Sequence, residues 1–208
     1  MNRILVFVAV LMASGAASLA HADALGLGVA GKVSTNGYGV ELGYRFNDYL
    51  AVRAGIYTGS YDYSSTDAGI DYDYTLDFDN YPVMLDWHVF GGEFRLTGGV
   101  VSNNNQLTGR ASGLIDIGGT TTTTATTDIT FNKSSPYVGL GWGALPSTKR
   151  GLGFSFDLGV MMQGSPTATI TAPGVPQADI DAEVAALNED LKDLKYWPVI
   201  SFGIGYTF

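Results

Sequence analysis

The last nine residues of the chain alternate between bulky apolar and small side chains. Ile200, Phe202, Ile204, Tyr206 and Phe208 are separated by serine, threonine and glycine. Successive side chains of a β-strand point to opposite faces, so this segment predicts a strand with one bulky and one small face. Seven more segments show the same period, within residues 24–33, 38–46, 50–57, 83–89, 93–100, 137–144 and 153–163. An even number of such strands is typical of bacterial barrels made from one chain.

The start of the chain has the features of a secretory signal peptide. Arg3 precedes an apolar run over residues 4–12, and Ala20-His21-Ala22 forms a small-residue cleavage signal. The apolar run is too short to span a bilayer, which needs about 20 residues. We therefore expect residues 1–22 to be removed on export and residues 23–208 to form one domain. A buried N-terminal helix is the alternative interpretation of this run.

Composition excludes several other classes of protein. The chain has no cysteine, so neither a disulfide framework nor a thiolate metal site is available. Its net charge of −9 disfavours nucleic acid as a partner. No later segment is apolar and long enough for a transmembrane helix, and a closed barrel is the other structure that pairs its backbone groups in lipid. We therefore predict an all-β fold, an eight-stranded antiparallel up-and-down transmembrane barrel, surrounded by the lipid and lipopolysaccharide of the bacterial outer membrane.

The connections between the predicted strands are alternately short and long. Short turns near residues 47–48, 91–92 and 146–151 are assigned to the periplasmic side, and long loops near 62–73, 103–134 and 165–196 to the outside. Thr35-Asn36-Gly37 is an exception, since Asn-Gly predicts a tight outer hairpin. The threonine tract over residues 120–127 predicts a mobile or weakly extended loop. Aromatic side chains near the periplasmic turns predict an interfacial girdle: Phe46, Trp87, Phe94, Trp142, Phe154, Tyr206 and Phe208.

An amphipathic helix is predicted in the last outer loop, over residues 179–195. Apolar residues from Ile180 to Leu194 fall on one stripe at helical spacing. Asp179 is positioned to cap the start, and Lys192 and Lys195 suit the C-terminal end. The helix is interpreted either as a packing element on the outer rim or as a plug of the barrel.

The face of the strands that points into the barrel carries charges of both signs. It comprises Lys32, Glu41, Arg45, Arg53, Asp86, His88, Glu93, Arg95 and Asp157. Unpaired charges in a narrow interior cost several kcal/mol, so we expect these groups to pair. The interior of an eight-stranded barrel is just wide enough to be filled by side chains. The set is interpreted either as a charge-paired core or as the lining of a narrow, gated path.

Two further patterns are candidates for chemistry. Asp86 and His88 share a face, with Ser155 or Ser201 across the lumen, but no motif of a hydrolase supports a catalytic triad, so we assign no catalytic residue. An acidic outer hairpin, with Asp71, Asp73, Asp77 and Asp79, places carboxylates on one face of an extended segment. Its spacing is not that of a calcium loop, so we expect no metal and no cofactor, although such a wall concentrates cations.

The order of several short motifs resembles the family of the carbapenem-resistance-associated outer-membrane protein, the ornithine-type porin of Acinetobacter. The matching stretches are residues 37–39, 74–80, 136–141 and 164–167, and the acidic helix leading into Trp197-Pro198-Val199. The resemblance implies an eight-stranded barrel and a role in the slow uptake of basic amino acids and of carbapenems. The sequence departs from the family in its threonine tract and in the terminal Phe208, where the family has tryptophan.

Three functions are therefore compared. The first is a narrow channel for small cationic solutes such as basic amino acids, indicated by the acidic outer hairpin and the resemblance. The second is a structural or interaction barrel with a filled lumen and no transport. The third is a lipid-modifying enzyme, for which the acid–base groups are incomplete. We expect a channel rather than an enzyme.

Overall fold

The computed structural model describes residues 26–143 and 145–208. The predicted signal peptide, residues 1–22, lies outside these residues. The described residues form eleven strands and one helix: β1 (Leu27–Ser34), β2 (Gly37–Arg45), β3 (Leu50–Asp67), β4 (Ile70–Trp87), β5 (Arg95–Asn103), β6 (Gln106–Ile117), β7 (Thr120–Thr130), β8 (Ser134–Gly143), β9 (Gly151–Met162), β10 (Thr167–Thr171), α1 (Gln177–Leu191) and β11 (Tyr196–Thr207). Within the described ranges, no helix is long and apolar enough to cross a bilayer.

Eight of these strands form a closed antiparallel ring. Each has a neighbour on both sides, in the order β1, β2, β3, β4, β5, β8, β9, β11 and back to β1. The first and last strands close the ring, from Gly28 opposite Thr207 to Ser34 opposite Ser201. All eight strands predicted from the alternation are members of the ring. The predicted eight-stranded transmembrane β-barrel is therefore confirmed.

The alternation separates an apolar outer wall from a polar lumen. Leu42, Val83 and Phe154 point outward and are more than half exposed, while their neighbours Glu41 and Ser155 are buried inside the ring. This is the reverse of a water-soluble sheet that covers an apolar core. Large apolar side chains exposed in this number are compatible with lipid, because in water they would drive aggregation.

Beyond the ring, the predicted long loops are mostly strands. β3 and β4 continue past the barrel and meet in a tight turn at Ala68-Gly69, where both residues have positive φ. The outer half of β4 then pairs with β6, β6 with β7, and β7 with β10. We call residues 59–79, β6, β7 and β10 the outer sheet. The threonine tract is extended, as one of its two interpretations predicted, but it is a regular strand and not a loop, because these β-branched residues form most of β7.

A group of asparagines sets the point at which β4 changes its neighbour. Asn80 lies opposite Asn103 of β5, whereas Asp77 lies opposite Gln106 of β6. The Asn105 side-chain oxygen accepts hydrogen bonds from the Asn80 amide at 2.7 Å and from the Asp79 backbone at 3.1 Å. These contacts satisfy polar groups at the junction where the sheet branches away from the barrel.

The predicted helix exists, with different bounds and a different start. It begins after Pro176 at the N-cap, and Asp179 lies in its first turn without capping it. Lys192 is the C-cap residue, so Lys195 lies beyond the helix. Ile180 is buried beside residues of β6 and of the segment after β10. α1 therefore packs on the outer sheet, as the rim interpretation predicted, and it does not line the lumen cavity.

Replacing Gly159 by alanine tests the packing of the inner wall. The hydroxyl end of the Tyr137 ring lies against Gly139 and Gly159, and a methyl group at Gly159 would overlap the tyrosine hydroxyl. We expect Gly159→Ala to lower the free energy of unfolding by about 1–3 kcal/mol, the usual effect of overpacking, in urea titrations of the barrel in lipid vesicles. Gly98→Ala is the control, because a methyl group there meets no atom within 4 Å. Equal stability of the two variants would contradict this packing.

Candidate functional site in the barrel lumen

Arg53 is the centre of the charged groups in the lumen. Its guanidinium contacts three carboxylates: Glu41 at 2.7 Å, Asp86 at 2.5 Å and Asp157 at 3.2 Å. All four side chains are nearly inaccessible to solvent, and they come from four different strands, β2, β3, β4 and β9. A planar guanidinium with several donors is suited to join carboxylates in this way.

Two further cations complete the network. The Lys32 ammonium contacts Glu41 at 2.8 Å and Asp157 at 2.6 Å. Arg95 contacts Asp157 at 2.5 Å and lies 3.7 Å from Asp86. We call Lys32, Glu41, Arg53, Asp86, Arg95 and Asp157 the lumen network. It joins three cations to three carboxylates and ties six of the eight ring strands together.

Each carboxylate of the lumen network also accepts a hydrogen bond from a hydroxyl group. The donors are Tyr57 to Glu41 at 2.7 Å, Thr97 to Asp86 at 2.6 Å, and Ser201 to Asp157 at 3.2 Å. These neutral donors bring in β11 and use the remaining acceptor capacity of the carboxylates. A buried ion pair is tolerable only when the other lone pairs and protons are satisfied. The three carboxylates meet this condition, whereas Arg95 Nε has no hydrogen-bond partner.

Arg45 and His88 lie inside the barrel but outside the lumen network. Arg45 donates to the backbone oxygens of Asn47 at 3.1 Å and Asp48 at 2.6 Å, so it holds the turn between β2 and β3. His88 Nδ1 lies 2.8 Å from the Gly92 oxygen, in the turn between β4 and β5. Both residues therefore stabilise short turns at the end of the ring opposite the outer sheet.

The considered Ser-His-Asp arrangement is not assembled. Asp86 is bound by Arg53 and Thr97, and the other ring nitrogen of His88 has no hydrogen-bond partner. The Ser155 hydroxyl is also without a partner, and the Ser201 hydroxyl donates to Asp157. A general base must contact its nucleophile, so these groups do not form a hydrolytic site.

The structure corrects the placement of Glu93. This residue is exposed, and it borders an external groove beside Trp142 and Phe154. β5 begins only at Arg95, and residues 88–94 are an irregular turn. The period of the strand therefore does not extend back to Glu93, and its carboxylate is not part of the lumen.

A small cavity in the lumen lies on the outer side of the lumen network. This cavity of about 40 Å³ is bordered below by Lys32, Glu41 and Asp157, and above by Asn36 and Asn80. An apolar layer narrows the same part of the lumen, formed by Met84, Val101, Tyr137, Met161 and Val199 with Trp197 against them. The cavity holds only one or a few water molecules.

The acidic outer hairpin is extended, and several of its carboxylates are held by hydroxyl groups. Asp71 accepts from Thr66 and Asp73 accepts from Ser64, each at 2.6 Å across the β3–β4 hairpin. Asp77 is exposed, and Asp79 lies at the branch point of the sheet, where its carboxylate accepts a hydrogen bond from Asn104. No cluster of three or more potential metal ligands occurs in the part of the chain that the structure describes.

Sequence reasoning missed the neutral partners of the lumen network. Thr97 and Ser201 occupy the alternate positions of β5 and β11 that point into the lumen, so the sequence predicts where they lie. A serine or threonine on a polar face does not, however, indicate which carboxylate it contacts. Tyr57 points inward from β3, but a tyrosine at such a position does not identify its partner. The asparagines at the branch point were missed because their contacts join residues about 25 positions apart.

The closed ring, the apolar wall and the polar, filled lumen define a small barrel of the outer-membrane type. Neither a protein-family model nor a curated protein sequence matches the chain. Two solved structures of Acinetobacter baumannii outer-membrane proteins are similar in fold. CarO2 has a TM-score of 0.60 and 18% identity over 88% of this chain and 98% of its own. CarO has the same TM-score and identity over 90% of this chain and 100% of its own. The resemblance predicted from the short motifs is confirmed for the fold, which is what this level of identity establishes.

Arg53→Ala tests whether the lumen network stabilises the barrel. The substitution leaves three buried carboxylates with fewer cations, and breaking a buried pair in this way costs about 3–5 kcal/mol. We expect that loss in the free energy of unfolding, measured in lipid vesicles. Arg110→Ala is the control, because Arg110 is an exposed arginine of β6, where substitutions change stability by about 0.5 kcal/mol or less. Similar stabilities for the two variants would show that the network contributes little.

Proposed function

We propose that the chain is an outer-membrane barrel that is closed to solutes and acts at the cell surface through its outer sheet. The observation that carries this proposal is the lumen network, in which three cations and three carboxylates from six strands contact one another across the lumen. The barrel then serves as an anchor in lipid and lipopolysaccharide, and export relies on the signal peptide predicted at residues 1–22.

The outer sheet supports this role because it extends well beyond the ring of the barrel. β3 and β4 together carry it away from the membrane, and β6, β7 and β10 broaden it beyond the width of the hairpin. α1 covers part of one face. Strands with polar side chains on exposed positions, held rigidly on a barrel, are a stable surface for recognition.

A slow channel for small cationic solutes is the second candidate. It is favoured by the position of the lumen cavity, which lies on the outer side of the lumen network, below Asn36 and Asn80. The carboxylates of the acidic outer hairpin would raise the local concentration of cations above it. Transport by this route requires the lumen network to separate, and breaking buried pairs is energetically unfavourable.

Planar-bilayer recordings separate the two candidates. We expect no conductance from the wild-type barrel. Arg53→Ala/Asp157→Ala is expected to conduct, because it removes one charge of each sign from the narrowest section and leaves Lys32 near Glu41 and Arg95 near Asp86. Arg110→Ala/Asp73→Ala is the control, since it removes a cross-strand pair of opposite charges from the outer sheet.

The recordings are combined with lysine and glutamate flux into vesicles. Wild-type conductance together with lysine-selective flux would reject the closed barrel in favour of the cationic channel. Conductance of the control equal to that of the lumen variant would show that the network is not the barrier.

A further inference from the structure

The outer part of β3 has a strand on one side only. β4 pairs with β3 along its whole length as far as Asp67, but β2 pairs only with residues 51–58. Residues 59–67 therefore form a free edge of the outer sheet, with no strand of the described chain beside it. At about 3.3 Å per residue, this edge is roughly 30 Å long.

The alternation of the ladder identifies the backbone groups that point away from β4. The Phe46 N–H donates to the Leu50 oxygen on the β2 side, and the His88 N–H donates to the Tyr49 oxygen on the β4 side. Residues of an antiparallel strand bond alternately to one neighbour and the other, so even-numbered residues of β3 face the β2 side. Beyond Thr58, the unpaired backbone donors and acceptors belong to Ser60, Asp62, Ser64 and Thr66.

The opposite edge of the outer sheet is protected. That edge is β10, which pairs only with β7. The Asn188 side chain of α1 accepts a hydrogen bond from the Ala168 backbone at 2.8 Å, and the helix packs along the strand. Covering an edge with a helix is a common defence against unwanted strand pairing. The fold blocks one edge and leaves the longer one open.

The two faces beside the open edge differ in chemistry. Asp62, Asp71 and Asp73 lie on one face. Each of these carboxylates accepts a hydrogen bond from a hydroxyl group on the other strand of the β3–β4 hairpin. Tyr61 and Tyr63 lie on the other face and are 64% and 55% exposed. Tyr63 stacks on Tyr74 of β4 at 6.4 Å. A strand added here would place alternate side chains against carboxylates and against aromatic rings.

A second copy of the chain in the same membrane does not fit this edge. In two copies related by a rotation about the membrane normal, both β3 strands run outward. Each residue of one copy then lies at the same position along the normal as the equivalent residue of the other copy. Parallel pairing requires the bonded residues of the two strands to be staggered, and barrel strands are in addition tilted by 35–45°. The geometry therefore selects an extended segment of a different molecule.

We propose that residues 59–67 bind an extended, basic polypeptide segment of another protein by addition of a strand to the outer sheet. The segment alternates cationic or hydroxyl side chains, which face Asp62 and its neighbours, with apolar side chains, which cover Tyr61 and Tyr63. Main-chain hydrogen bonds to the open edge supply affinity, and the two faces supply specificity. This inference rests on the proposed surface role, although the two fail separately, since bilayer conductance reports on the lumen and not on the edge.

A synthetic nonapeptide of alternating lysine and valine, blocked at both ends, is the probe for this site. We expect it to bind the full-length barrel in lipid nanodiscs and to slow hydrogen exchange at Ser60, Asp62, Ser64 and Thr66. Tyr61 and Tyr63 bond to β4 and should not change. A peptide of the same charge with N-methyl groups on alternate amides should bind at least tenfold more weakly, since it lacks half of its backbone donors.

Ser64→Pro and Ser64→Ala form a matched pair on the protein side. Both lose the hydroxyl that donates to Asp73, but only proline removes the backbone N–H at the open edge. We expect at least a tenfold loss of peptide affinity for Ser64→Pro and less than twofold for Ser64→Ala. Absence of peptide binding, or equal binding of the methylated peptide, would overturn the proposal, and the second result would assign binding to charge alone. The comparison of the unmodified and the methylated peptide tests strand addition even if Ser64→Pro does not fold.

Discussion

The hydrogen-bonding requirement of the backbone in lipid is the constraint on which this structure depends. Hydrocarbon offers no partner to an N–H or C=O group, so strands that cross it must form a ring without edges. The pairing of β1 with β11 meets that requirement. Free edges are tolerated only where water reaches the backbone, and the open edge of β3 lies just beyond the first residues of β2. The ring pairs its backbone groups within the membrane, whereas the outer sheet can keep an open edge because water reaches it.

The small size of the ring determines what the lumen can do. Eight strands enclose a space that side chains fill, and in this chain the charged lumen network and an apolar layer beside it occupy that space. The charges are then obliged to pair, which joins six strands through one network. In the proposed function, closure of the lumen follows from stabilising a narrow barrel, and the activity belongs to the outer sheet.

Much of the barrel could be predicted from the sequence, since lipid and lumen impose a period of two on every crossing strand. Parity placed Lys32, Arg53 and Asp86 in the lumen, but it could not show that Arg53 would contact three carboxylates. The same parity misplaced Glu93, because a turn interrupts the strand before Arg95. The outer sheet was predicted as loops because much of it lies in water, so threonine and aspartate strands such as β7 lack an apolar alternation. Its branch point depends on Asn105, whose contacts are distant in sequence.

Quenching of tryptophan fluorescence by lipids with brominated acyl chains is the most direct test that lipid covers the outer wall. Trp87 and Trp142 point outward and are each 51% exposed, whereas Trp197 packs against the apolar layer inside the barrel. In variants that each retain one tryptophan, brominated lipid should quench Trp87 and Trp142 strongly and Trp197 weakly. Strong quenching of Trp87 and Trp142 by aqueous iodide, with no effect of brominated lipid, would show that water and not lipid surrounds the barrel.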